Sequence, residues 1–160
     1  FPFQWPLSEK ELLLVSVGTG FGNLGMIPSK LVQKGKIFWA KNVADFYMQD
    51  ANWEAQALLQ WISASPTAQP IDNMRGSLNG DMLAGTPLVS YLRYNFEFTQ
   101  NNLNVLNLGT NYQSKPFESK DVRVLLEMSN AKNRYLLNEI GKKASRQILP
   151  EHFPHSFNIT

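Results

Sequence analysis

A chain of 160 residues with 43% hydrophobic side chains is long and apolar enough for one domain with a genuine core, which excludes wholesale disorder. The formal net charge is +2, and the lysines and arginines are spread along the chain rather than clustered, so a nucleic-acid partner is not expected. No apolar run approaches the ~18 residues of a membrane span, and the absence of cysteine excludes disulfide and thiolate chemistry while leaving the compartment open.

The opening "FPFQWPLSEKE" has no initiating methionine and reads as the interior of a longer protein. Pro2 and Pro6 hold it extended, because each fixes its own φ and disfavours helix in the residue before it. Leu12 to Val17 is continuously apolar apart from Ser16, which predicts a strand buried on both faces inside a helix-covered sheet. The glycine-rich turn "GTGFGNLG" follows, and then "MIPSKLVQKGK", with Pro28 and Gly35 as breakers.

Apolar spacing of three and four predicts one helix from Ile37 to about Gln49 and a second from Ala51 to Ala64, the latter ended by Pro66. The segment from Pro66 to Pro87 reads as a long polar loop, a length that is usually functional or mobile. Ser90 to Phe98 alternates, with Leu92, Tyr94, Phe96 and Phe98 on one face and Tyr91, Arg93, Asn95 and Glu97 on the other, so a half-buried strand near a sheet edge is expected. "TQNNLN" turns it, Asn102 to Glu118 is ambiguous, and a weak element covers Val122 to Glu127. The last helix is expected from Ala131 to Leu149, capped by Asn130 or Ser129 and stopped by Pro150.

Gly20, Gly22 and Gly25 have the spacing G-x-G-x-x-G directly after a strand, the fingerprint of a dinucleotide-binding turn, with Asp45 about twenty residues on. The context opposes it, because proline and glycine fall where the following helix should run, and Asp45 falls inside a helical pattern. The alternative is that Gly18 and Gly20 supply backbone angles that other residues avoid. No G-K-[ST] follows, which excludes a Walker-type phosphate loop, and no G-x-S-x-G supplies a hydrolase nucleophile. "GSLNG" at Gly76 to Gly80 misplaces its serine, and Ser16 inside a strand should bond to backbone. His152 and His155 are separated by Pro154, which prevents the helical alignment a metal pair needs, so a surface tail is expected. Trp39, Trp53 and Trp61 suit helix packing, or alternatively a lipid-touching face. Asp45, Glu54, Glu97 and Glu127 are scattered over separate elements, with no pair spaced for acid–base work.

Three stretches carry a family resemblance. "WPLSEKELLLVSVGTG" (Trp5 to Gly20) resembles the patatin-like phospholipase segment in which an S-[LV]-G-T-G strand follows the catalytic aspartate. "LVSYLRYNFEF" is similar to that family's Y-[LV]-R-[IVY] strand, and "MSNAKNRYLLNEIGKKAS" to its closing helix. They occur in the family's order and span most of the chain. The resemblance implies an α/β fold, with residues 1–160 forming the C-terminal portion of a patatin-like sheet covered by helices on both faces. It also implies a parent that hydrolyses acyl esters in lipids with a serine–aspartate dyad and no cofactor. The family's G-x-S-x-G, D-G-[GA] and glycine-rich oxyanion segment are all absent from these residues, so no catalytic residue is carried over and the chain alone should be inert. The partners implied are the catalytic N-terminal part of the parent and, through it, lipid; a cytoplasmic or membrane-peripheral location is favoured. A strand from Leu12 to Val17 stripped of neighbours is also expected to promote self-association. The other readings are a non-catalytic lipid- or protein-binding α/β module and a dinucleotide-binding domain.

Overall fold

The computed structural model of the protein describes residues 6–22, 32–71, 76–109, 112, 115–127 and 130–157. The fold is mixed α/β, and it divides into two compact units, residues 1–16, 25–93 and 151–160 in one and 17–24 and 94–150 in the other. Pro2, Gly25, Pro28 and Ser129 lie outside the described residues.

The first unit is built on a three-stranded sheet of β1 (Leu13–Val17), β2 (Ser63–Ala64) and β3 (Val89–Tyr94), in the order β1-β3-β2. β2 runs parallel to β3, with Ser63 opposite Val89 and Ala64 opposite Ser90. Ser90 N donates to Leu12 O and Gly18 N to Tyr94 O, both at 2.8 Å, so β1 is also parallel to β3 and its even-numbered residues turn their backbone groups toward it.

This order exchanges the expected positions of the two long strands. β1, read as buried on both faces, is an edge strand with Leu14 and Val15 more than two-fifths exposed. A continuous apolar run records what a strand can bury, not which neighbours it has within 160 residues. β3, read as a one-faced strand near an edge, is the middle strand and is covered on both faces, with Tyr91 1% and Leu92 0% exposed. Scoring Tyr91 as polar caused that error, since a tyrosine ring is mostly apolar surface with one polar tip. β3 also ends at Tyr94, short of the expected Phe98.

One continuous helix, α1 (Lys36–Ile62), replaces the two expected between Ile37 and Ala64. Neither proline nor glycine occurs inside it, and the mild helix penalty of Asp50 and Asn52 does not break 27 residues. It stops at Ile62 because Ser63 turns to extended angles (φ −128°, ψ 158°) and enters β2. The carbonyls left open at that end are taken by the long loop: Leu83 N donates to Trp61 O at 2.9 Å and Leu88 N to Ile62 O at 2.8 Å. Gln60, 2% exposed, holds the same loop from both sides, its Nε2 donating to Gln69 O and its Oε1 accepting from Leu78 N.

The second unit is mainly helical, with α2 (Gln100–Val105), α3 (Ser119–Leu126) and α4 (Arg134–Ala144). "TQNNLN" starts a helix rather than a simple turn, because Thr99 accepts from Asn102 N as an N-cap. α3 begins at Ser119, ahead of the expected Val122, because Glu118 and Asp121 form a reciprocal capping box. Asn130 caps the closing element as expected, but that element is divided into a 3-10 turn (Ala131–Asn133), α4 and a second 3-10 turn (Ser145–Gln147). Phe98, Leu103, Leu108, Phe117, Leu125 and Ile140 form the buried core of this unit. Two asparagines serve it: Asn104 Oδ1 accepts from Phe117 N at 2.8 Å, and Asn133 Nδ2 donates to Val124 O at the end of α3.

Candidate functional site

The glycine turn is filled by the chain itself. A Cβ on Gly18 would meet the Asn95 amide, one on Gly20 the Phe98 ring, and one on Gly22 the Leu126 methyls, all inside normal contact distance. Gly20 also sits at φ +93°, where side chains are rarely tolerated. Gly18 N donates to Tyr94 O, Gly20 N to Asn95 Oδ1 at 2.9 Å and Phe21 N to Phe96 O at 2.9 Å. A phosphate cradle needs such N–H groups to be open to the ligand, and these are not. Asp45, the matching acid, lies within α1 rather than at the end of a second strand.

A cavity of about 260 Å³ opens in the second unit, lined by Phe117, Leu125 and Leu136 with Tyr112, Lys115 and Asp121 among its polar groups. That is below the ~300–1,000 Å³ of ordinary ligand clefts. Lys115 and Lys120 both pair with Glu118, and the hydrogen bond from Lys120, followed by that from Lys115, lowers the Glu118 pKa.

A polar assembly lies in the first unit, at the carboxyl end of the parallel sheet. Arg93 of β3 donates through Nη1 to Ser16 Oγ on β1 and through Nη2 to Asn52 Oδ1 on α1, the latter at 3.4 Å on the exposed side. Its backbone N donates to Thr67 Oγ1 at 2.8 Å. Because Ser63 stands opposite Val89, side-chain alternation puts Ser63 on the face that carries Val89, Tyr91 and Arg93. Ser63 and Ser65 are almost fully buried and, among the described residues, their hydroxyls have no partner; Arg93 Nε is likewise buried without one there. Among the described residues, no carboxylate pairs with Arg93.

Ser16 therefore bonds to a guanidinium rather than to backbone, and among the described residues no histidine or carboxylate is bonded to it. This assembly was missed in the sequence; its only trace is a polar residue near the end of each of two apolar runs. His152 and His155 each belong to a short 3-10 turn, and the described residues contain no group of three metal-ligating side chains. Trp39 and Trp61 are about two-fifths exposed on α1, with Trp39 edge-on to Phe38 at 5.9 Å. No described helix is long and apolar enough to cross a membrane. No family model, curated protein or solved structure matches the chain.

Proposed function

We propose that the chain is the C-terminal part of a patatin-like acyl hydrolase whose serine–aspartate dyad lies in a preceding segment. The observation that carries this reading is the ordered occurrence of "SVGTG", "YLRY" and "NRYLLNEIG" across residues 16–141. The pairing of β1 and β3 in one parallel sheet supports it, because the first two of these segments are then neighbouring strands of an α/β core. On this reading the chain supplies sheet, helices and part of an acyl-binding wall, and has no hydrolytic activity alone. The test is serine-reactive fluorophosphonate labelling of the full-length protein, together with hydrolysis of a fluorogenic acyl ester. Labelling at a serine N-terminal to these residues, absent from the 160-residue chain, is the expected result. A full-length protein with neither G-x-S-x-G nor labelling would overturn it.

A non-catalytic lipid-binding module is the second reading, favoured by the exposed Ile37, Tyr47, Met48 and Trp61 on α1. Co-sedimentation with anionic vesicles tests it, and no binding at low salt counts against it.

A further inference from the structure

We infer that the carboxyl end of the β1-β3-β2 sheet is a phosphate-binding site centred on Arg93. Ligands of open parallel α/β sheets bind outside the carboxyl ends of the strands, and here that end carries a guanidinium without a carboxylate partner among the described residues. Arg93 is half-buried and, among the described residues, its guanidinium donates to neutral oxygens, of Ser16 and Asn52. A partly desolvated cation so placed gains from an oxyanion, whose charge-assisted bonds are about twice as strong as neutral ones.

The hydroxyls around it have the matching polarity. Ser16 and Thr67 each accept a hydrogen bond from Arg93, so each keeps its own proton for a further acceptor. The Ala68 N to Ser65 O bond at 3.1 Å folds the segment carrying Thr67 into a tight turn. Two hydroxyls that keep their protons, beside one guanidinium, match the several acceptor oxygens of a phosphate. Asn52, at 3.4 Å on the exposed side, is the acceptor the phosphate displaces. The inference stands apart from the acyl hydrolase reading, since it concerns only residues of this chain.

Titration of the full 160-residue chain with inorganic phosphate, followed through the Arg93 Nε–H resonance, tests it. A saturable shift is expected at millimolar phosphate. Arg93→Lys, which keeps the charge but loses the planar fork, should weaken binding about tenfold or more. Ser16→Ala should weaken it several-fold, because it removes a hydroxyl that touches the guanidinium and keeps its own proton for the anion. Should Arg93→Lys fail to fold, Ser16→Ala decides. Lys142→Gln, a surface cation of the other unit, should leave the titration unchanged. A soluble short-chain phosphatidic acid that binds more tightly than inorganic phosphate assigns the site to a lipid headgroup, and equal affinity assigns it to free phosphate. The inference is overturned by no saturable shift, by unchanged binding in Ser16→Ala, or by acetate binding as tightly as phosphate.

Discussion

Replacing Gly20 by alanine separates the two uses a glycine turn can have. The residue sits at φ +93°, and a Cβ there would run into the Phe98 ring. Left-handed backbone costs a non-glycine residue roughly 1–2 kcal/mol, and forcing extra volume into a packed core adds about 1–3 kcal/mol. Phe98 is 7% exposed and packs edge-on against Phe96 at 5.4 Å, so its ring has little room to yield. The expected loss is therefore about 2–5 kcal/mol, a large share of the roughly 5–15 kcal/mol that holds a typical domain together. Urea unfolding followed by circular dichroism measures it as a lower midpoint at constant slope. Gly85→Ala is the internal control: φ is +68° but nothing lies within 4 Å of its Cβ, so only the backbone cost remains. In Gly20→Ala, Phe98→Leu should relieve part of the steric cost and none of the backbone cost. If Gly20→Ala destabilises no more than Gly85→Ala, or if it abolishes dinucleotide binding while leaving the midpoint unchanged, the packing explanation is wrong.

Leu103→Ala removes a 0%-exposed side chain from the centre of the helical unit, and should cost about 2–5 kcal/mol by urea unfolding. Glu118 has a folded pKa below the ordinary carboxylate range, chiefly through Lys120, so its contribution is present above the unfolded carboxylate value and is lost as pH falls through the lowered one. Carboxyl NMR titration of Glu118 should show the lowered value rising toward normal in Lys120→Gln and in high salt. In β1, the residues that alternate with Leu12 and Gly18 present backbone groups away from β3, and Val15 among them is 43% exposed. Val15→Lys should shift the isolated chain toward monomer in size-exclusion chromatography with light scattering, and a wild-type chain already monomeric would refute the edge argument.

What the sequence made legible was local. The Asn130 cap and the apolar stripe through Leu137 and Ile140 depend on residues a few positions apart, and helix formation there follows. The unbroken α1 was also within reach, since neither proline nor glycine lies between Lys36 and Ile62. The capping box at Glu118 and Asp121 is likewise a pair three residues apart that the reading passed over. The places of β1 and β3 were beyond reach for a different reason. Both strands are apolar enough for a sheet interior, and the choice between edge and centre depends on pairing between Leu13–Val17 and Val89–Tyr94, which no local pattern encodes.

The same limit governs the site. Ser16 and Arg93 are 77 positions apart and meet only because β1 and β3 pair in parallel with Leu12 O facing Ser90 N. A slip of one residue in that register would turn Ser16 to the opposite face and leave the guanidinium without its first acceptor. Thr67, which follows β2, joins them by accepting from the Arg93 backbone N. Each residue alone is unremarkable, a serine near the end of an apolar run or an arginine on a strand's polar side. The glycines, by contrast, announced a ligand site through a spacing that short range can imitate, and the structure gives their space to Asn95, Phe98 and Leu126. A conspicuous local motif and the polar assembly around Arg93 thus lie in different places in this chain, because packing alone can require glycines at fixed spacing, whereas bringing acceptor oxygens from separate elements to one guanidinium requires the sheet.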